Sequence, residues 1–530
     1  MSWFWAFVIS ILVCGLAYCY VESSRRKSIH SLIIHRDGCQ PLRCLPNRWF
    51  PPLGLDKLGN VIEAEKTKTY PILMLKEHEK HGDTYSQWSG PLYTVITRDT
   101  NNIRAILHTQ FKSFEVGSGR HGCVLPLLGD GIFTQDGPKW KASRKLLAPM
   151  VQRPILPDLS LIERHFQQLL QTLSPGGSAD SPFSNKAIDI KQHFLELSLK
   201  LTTEFLLGEN SENSSAWIDR LALHFVTALK WVSKRERMKA FYWLVDGLEF
   251  RRSCKASQNL IDDLIRQAIE HRQSAKDGGA DTESYVAFET LLRQERDPEP
   301  IRSQFMNFLL AGRDSTGALL SWIFYALARE PGLQTQLKTE IEHVLGSDES
   351  RTPTKAELNS MMLLDQFVSE TLRVFPPVPL NGRFCIEDTS LPSGGGENGD
   401  APILIPKGTL LAFSTFAVQH NKNLYGENAS KFRPGRWEDR ATKERRMTDW
   451  SYHPFLGGPR KCLGERFAVT QAKYLTCRML QNYKEILPVD QQGHELKFKP
   501  GGAWVEDVKY DVGLTMMPDA GVWLHLIPQS

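Results

Sequence analysis

Apolar residues recur at three- and four-residue intervals along most of the chain. The spacing predicts helices over Pro149–Leu173, Asn185–Leu207, Ala216–Trp231, Phe250–Lys276, Ile301–Glu330, Lys355–Phe375 and Leu463–Tyr483. Runs with strand character are few and short: Leu92–Thr97, Ile403–Ile405, Leu410–Phe413 and Leu514–Met517. Turn residues cluster at Lys276–Ser284 and Pro392–Pro406, which predicts loops there. No internal repeat is visible. Length alone would suggest about three or four domains. After Pro52, however, no linker looks long enough to separate them. The pattern predicts one large, mainly α domain with a small β-sheet subdomain over residues 53–530.

A different pattern opens the chain. From Trp3 to Val21 nearly every residue is apolar, and as a helix this stretch reaches roughly 28 Å, about one hydrocarbon core. Arg25, Arg26 and Lys27 follow, and nothing basic precedes. This predicts an uncleaved transmembrane signal anchor at residues 1–22 in the endoplasmic reticulum membrane, with the remaining chain in the cytosol. A cleaved secretory signal would need a basic start and a small-residue cleavage site, and neither is present. Pro41, Pro46, Pro51 and Pro52 deny a continuous helix and predict a stiff basic, Pro-rich hinge over 23–52. In this topology the sequons at Asn213 and Asn428 stay bare.

Charge and cysteine usage then exclude several function classes. The net charge of +4 is weak for 530 residues and carries no nucleic-acid-type excess. Nine cysteines, with no C-x-x-C among them, argue against zinc ribbons, thioredoxin-type motifs and covalent haem attachment. A reducing compartment with free thiols fits best.

The chemistry gathers near the C-terminus. Phe455–Gly464 reads F-L-G-G-P-R-K-C-L-G, just before an amphipathic helix. Glycines let backbone pass close to a flat ligand. A helix start and the cations Arg460 and Lys461 favour a thiolate at Cys462, which suits a haem iron. An ordinary buried cysteine would not need such surroundings. A cysteine hydrolase stays open, since fifteen histidines could supply a base. Asp314, Ser315 and Thr316 interrupt an otherwise apolar helix. They suit either a kink with a hydroxyl bonded back one turn, or a proton relay. Gly117-Ser-Gly-Arg-His-Gly122 fits a dinucleotide fingerprint, but Pro126 and Gly129-Asp-Gly131 predict that no helix follows, so the fingerprint is rejected.

The pattern of Phe455, Gly458, Cys462 and Gly464 resembles the haem-binding loop of cytochromes P450. Glu370-Thr-Leu-Arg373, Phe432-Arg-Pro-Gly-Arg-Trp437 and Ala311-Gly-Arg-Asp-Ser-Thr316 resemble three further family motifs in the family's order. The segments Leu128–Thr134, Asn381-Gly-Arg383 and Leu391–Gly396 are similar to fungal membrane-bound hydroxylases of n-alkanes and fatty acids, relatives of which also serve secondary metabolism.

The resemblance implies the cytochrome P450 fold and haem b ligated by Cys462. It implies a buried network of Glu370, Arg373 and Arg436 behind the cysteine loop. Trp140, Arg144, Arg460 and Arg383 would meet the haem propionates, and Asp314 with Ser315 or Thr316 would relay protons. The family usually has threonine where this chain has Ser315. The resemblance also implies a substrate-facing loop over Gly117–Gly122. The implied activity is monooxygenation of a lipophilic substrate with electrons from NADPH through a flavoprotein reductase. Lys139, Lys141, Lys145 and Lys461 are candidates to meet that partner. An isomerase or peroxygenase working without a reductase is the alternative, and a haem sensor a further one. Met516 and Met517 fit core packing better than a pocket wall.

Overall fold

A computed structural model describes residues 27–46, 55–89, 92–152, 159–173, 187–207, 215–278, 291, 297–498 and 504–529. The anchor over Trp3–Val21 lies outside them, as do Pro51, Pro52 and Asn213. Among the described residues no helix is long and apolar enough to cross a membrane. The chain forms two compact units, each discontinuous in sequence.

The first unit draws on Met1–Leu58, Glu77–Glu115 and Gly382–Phe413. Its five-stranded sheet runs in the order Thr84–Ser89, Leu92–Thr97, Leu410–Ser414, Leu380–Cys385 and Phe114–Glu115. The first pair is antiparallel, while Leu92–Thr97 and Leu410–Ser414 run parallel with Thr94 opposite Leu410. Pro392–Pro406 is not the predicted loop. It belongs to an antiparallel hairpin of Thr389–Gly395 with Ala401–Ile405. Leu391, Ile403 and Ile405 bury one face of the hairpin, and the glycines that suggested a loop make its irregularities. Gly394 sits at φ +122° where the register shifts, and Gly399 at φ +73° near the turn. The Pro-rich segment is also more ordered than a strap. Residues 27–37 are helical, and Leu42 and Cys44 bridge to Gly395 and Ser86.

The second unit is helical and carries the chemistry. Its main helices are α1 (Gly117–Leu128), α2 (Gly137–Gln152), α3 (Leu159–Leu173), α4 (Ile190–Leu207), α5 (Ser215–Met238), α6 (Leu248–Gly278), α7 (Pro298–Arg329), α8 (Pro331–Leu345), α9 (Met362–Val374) and α10 (Glu465–Asn482). Helix α7 starts where the Asp297 side chain accepts from the Glu299 N–H, with Pro298 in the first turn. It is apolar nearly all round and lies in the core. Trp322 stacks on Phe375 at 4.2 Å and donates its indole N–H to the Met516 carbonyl, 2.9 Å away. Met516 is itself fully buried in that core.

Helices α4 and α7 lie close together because α7 offers glycine at the contact. A Cβ on Gly312 would lie 2.2 Å from Thr202 Oγ1, and one on Gly317 would lie 2.7 Å from Leu195 Cδ2. The expected single helix over Lys355–Phe375 is two. Met361 adopts an extended conformation between Lys355–Ser360 and α9, and the Glu340 carboxylate caps α9 by accepting from the Leu363 and Leu364 amides at 2.7 and 2.9 Å. The expected loop over Gly117–Gly122 is the first half of α1, which tolerates Pro126 near its end.

The Gly129-Asp-Gly131 turn is sewn to α7. Asn307 donates to the Leu128 carbonyl at 3.1 Å and accepts from the Phe133 N–H at 3.0 Å. Gly129 sits at φ +69°, and a Cβ there would lie 2.2 Å from Ser303 Oγ. One on Gly131 would lie 2.3 Å from Asn307 Nδ2. Gly131→Ala therefore overpacks a fixed contact and should destabilise by about 1–3 kcal/mol. Gly332→Ala, at a helical position with open space, should not destabilise. Thermal unfolding of the two variants beside the parent checks this; equal midpoints would refute it.

Candidate functional site

The cysteine loop is held by its own backbone. Leu456 and Gly458 take positive φ, +58° and +66°, and turn the chain back so that the Cys462 N–H donates to the Phe455 carbonyl at 3.0 Å. Lys461 N–H donates to the Gly458 carbonyl at 3.0 Å. Gly457 is needed for packing rather than for φ, because a Cβ there would lie 2.3 Å from the Trp450 ring. The loop ends at Gly464, which caps α10. Lys461 pairs with Glu465 at 2.6 Å.

The sulfur has an unusual setting. The Cys462 side chain is exposed, yet desolvation is the main cause raising its thiol pKa; the Gly464 N–H, Arg144 and Lys461 pull it back. Arg144, on α2, is half-buried, and burial lowers its pKa while the Cys462 charge raises it. Its guanidinium lies 5.8 Å from the Trp140 ring centroid, with Arg460 at 4.5 Å from the same ring. Trp140, Arg144, Arg460 and Cys462 thus come together. Arg460 also donates to the Gln135 carbonyl at 2.8 Å and pairs with Asp136. Asp136 in turn accepts from the Val116 and Gly117 amides at 3.0 and 2.9 Å. That carboxylate already fills the anion position at the start of α1, which leaves a pyrophosphate no place there.

Glu370 is fully buried and fully engaged. Arg373 donates to both carboxylate oxygens, at 2.9 and 2.8 Å. Arg436 Nε and the Arg433 N–H donate to Oε1 at 2.9 and 2.7 Å, and Trp437 Nε1 to Oε2 at 2.9 Å. Arg373 spends its remaining donors on the Gln419, Ala429 and Lys431 carbonyls. Burial alone would push the Glu370 pKa up; the two guanidinium groups and the amide outweigh it and hold it below the ordinary carboxylate value.

On α7, Asp314 and Thr316 are buried. Ser315 Oγ donates to the Ala311 carbonyl one turn back at 2.5 Å. Desolvation raises the Asp314 pKa, with its neighbour Arg313, to which it is hydrogen-bonded, pulling it down. Arg383 belongs to the first unit, where it is buried and donates to the Gly382 carbonyl at 2.7 Å.

Sequence reasoning missed Asp136, which carries no motif of its own. It also missed Trp437, whose place in the quoted Phe432–Trp437 segment could have flagged an indole donor. Comparison with known proteins decides the family: the cytochrome P450 pattern matches residues 51–512. The chain belongs to the cytochrome P450 family. It is 35% identical to "Cytochrome P450 monooxygenase g430" of a Fusarium species over 85% of this chain and 81% of the relative. It is 35% identical to "Cytochrome P450 52A1" of Candida tropicalis, over 82% and 78% of the two chains. It is 31% identical to a "Cytochrome P450" of Arthroderma benhamiae over 98% of each. This P450 is a monooxygenase, an oxidoreductase that incorporates oxygen, of the fungal branch.

Cytochromes P450 bind haem b through a cysteine thiolate, and the residues here fit that group. The Cys462 side chain is exposed, and its charge acts on the Arg144 guanidinium. Half-buried Arg144 has no carboxylate partner among the described residues, which a haem propionate would supply.

Glu370→Gln leaves Arg373 and Arg436 buried beside a neutral amide. The expected cost is about 3–5 kcal/mol, with loss of retained haem. Because folding depresses the Glu370 pKa, its contribution is present above the ordinary glutamate value of about 4.3 and is lost as pH falls through the depressed value. The variant should therefore lose less stability than the parent over that acid range. Denaturant titrations at several pH values, with haem content measured in parallel, test both points.

Proposed function

We propose that Cys462 is the thiolate ligand of the haem iron and that this P450 hydroxylates an aliphatic C–H bond of a lipophilic substrate. The substrate class is an n-alkane, a fatty acid or an aliphatic, polyketide-type secondary metabolite. The exposed Cys462 in its tight loop, with Trp140, Arg144 and Arg460 gathered beside it, carries this reading, and the resemblance of Leu128–Thr134, Asn381-Gly-Arg383 and Leu391–Gly396 to fungal hydroxylases supports the substrate class. When bound, haem supplies activation of dioxygen at a thiolate-ligated iron.

The chain's own residues do the rest. The Gly464 N–H, Arg144 and Lys461 act to lower the Cys462 pKa and so favour the thiolate. Arg144, Arg460 and Trp140 hold the propionates, with Arg383 assigned the same role. The Glu370 network keeps the cysteine loop in place. Asp314 holds a proton in dry surroundings, and Thr316 or Ser315 passes it on. The Ser315 back-bond to Ala311 favours Thr316 as the freer hydroxyl. The apolar flank of α7 excludes water from the oxidised carbon.

Two electrons are assigned to NADPH–cytochrome P450 reductase, and the chain to the endoplasmic reticulum membrane as a single-pass protein facing the cytosol. With purified reductase, NADPH and labelled dioxygen, a long-chain fatty acid or n-alkane should gain one labelled oxygen. Product with peroxide but none with reductase would favour the peroxygenase alternative. Cys462→His should bind haem but give a histidine-type ferrous carbonyl spectrum; an unchanged spectrum would sink the assignment.

The reductase surface is the second test. Lys139 pairs with Asp130 and Lys461 with Glu465, while Lys141 and Lys145 are exposed on α2. Reversing both, Lys141→Glu with Lys145→Glu, should raise several-fold the reductase concentration needed for half-maximal turnover at low salt, and less at high salt. An unchanged titration curve would refute this docking surface.

A further inference from the structure

Two guanidinium groups stand beside the Trp140 ring, and the chain treats them differently. Arg144 is half-buried, with no carboxylate partner among the described residues. Arg460 is held by an acid of the chain itself. Its Nη2 donates to Asp136 Oδ1 and to the Gln135 carbonyl, and the Arg460 and Asp136 side chains are only 9% and 17% exposed. At that burial salt and water do little to screen the pair.

Asp136 has no freedom to follow a guanidinium that moves. Its Oδ1 also accepts from the Val116 N–H, and its Oδ2 from the Gly117 N–H. The residue before it is pinned as well. Ser143 on α2 donates to Gln135 Oε1 at 2.6 Å, Gln304 on α7 donates to Ser143 Oγ at 2.8 Å, and Gln135 Nε2 donates to the Asp130 carbonyl at 3.0 Å. Other charges on these segments pair with one another, Asp130 with Lys139 and Lys461 with Glu465. A dipole fixed in this way keeps its direction when charge changes nearby, and acts on that charge without being reoriented by it.

We propose that Asp136 is a positioning residue: it holds the Arg460 guanidinium in a fixed ion pair, limits the positive charge that Arg460 brings to the haem propionates, and so keeps the bound haem hard to reduce. The proposal rests on the reading of Cys462 as the haem ligand and of Arg460 as a propionate partner. Arg144 then meets the cofactor as an uncompensated cation, and Arg460 as one end of a dipole. Reduction adds one electron to the haem, supplied by the reductase, and no bond within the Asp136–Arg460 pair is made or broken. Positive charge nearby favours the reduced state, and negative charge the oxidised one. Without the Asp136 carboxylate two changes act in the same direction. A negative charge is lost, and Arg460 is released to close on the propionates as a bidentate donor. Only the second change needs Arg460, and this separates positioning from plain charge.

The test compares haem-loaded Asp136→Asn, Asp136→Glu, Arg460→Gln and the Asp136→Asn, Arg460→Gln double variant with the parent, each first shown to give the parent's ferrous carbonyl spectrum. The first readout is the ferrous-to-ferric ratio at one fixed ambient potential. Asp136→Asn should raise it several-fold, and Asp136→Glu should leave it near the parent's. The step made by Asp136→Asn should shrink markedly when Arg460 is already replaced. The second readout is the propionate bending band in resonance Raman spectra, which follows hydrogen bonding to the propionates. It should move in Asp136→Asn, and should not differ between Arg460→Gln and the double variant. An unchanged ratio in Asp136→Asn, equal steps in the two backgrounds, or an unmoved band overturns the positioning role. Where Arg460→Gln loses haem, the band in Asp136→Asn alone decides. Where Asp136→Asn loses haem, Asp136→Gln takes its place; if neither neutral variant retains haem while Asp136→Glu does, the acid serves retention and the proposal fails. An Arg460→Gln variant with the parent's ratio and band would remove Arg460 from the propionates. A parent without a thiolate-type ferrous carbonyl spectrum would instead remove the reading of Cys462 on which both depend.

Discussion

A single buried carboxylate governs how the second unit can be built. Glu370 is fully buried, and a lone ion at such a place would cost several kcal/mol. It is tolerated because five hydrogen bonds from four residues converge on its two oxygens. Arg373 then reaches carbonyls at Gln419, Ala429 and Lys431, so helix α9 and the irregular chain after it are fixed to one charged centre. The stretch from Ala429 to Trp437 has little regular structure of its own. Its shape comes from meeting these donors and acceptors.

The cysteine loop shows a similar economy. Its turn depends on left-handed backbone at Leu456 and Gly458 and on a glycine flat against Trp450. Local sterics do most of the positioning of Cys462. Helix α7 uses glycine differently, at positions 312 and 317, to come close to α4. Gly312 thus has a packing reason to be small, independent of any role toward oxygen.

Much of this was legible in the residues. Long helices announced themselves because their apolar faces are wide: α7 runs over Pro298–Arg329 against a prediction of Ile301–Glu330, and α10 over Glu465–Asn482 against Leu463–Tyr483. The failures have physical causes. Lys355–Phe375 reads as one periodic run, and the break at Met361 comes from Glu340, a residue on another helix. Pro392–Pro406 carries so many turn residues that a bulged hairpin reads as a loop. Gly117–Leu128 has three glycines and a proline in a helix whose first amides are satisfied by Asp136, far along the chain. At the site, residues in motifs were found by their spacing. Asp136 and the Arg313–Asp314 pairing were not, because each depends on where a side chain ends rather than where it begins.

Asp136 has a consequence for motion. One carboxylate receives the two amides that open α1 and the guanidinium of Arg460, two residues before Cys462. The first turn of α1 therefore cannot fray while Arg460 stays in place, and a proximal loop that loosens gives up an anchor on the opposite element. Deuterium uptake at the Val116 and Gly117 amides becomes a remote gauge of order around the sulfur, readable without touching the cysteine.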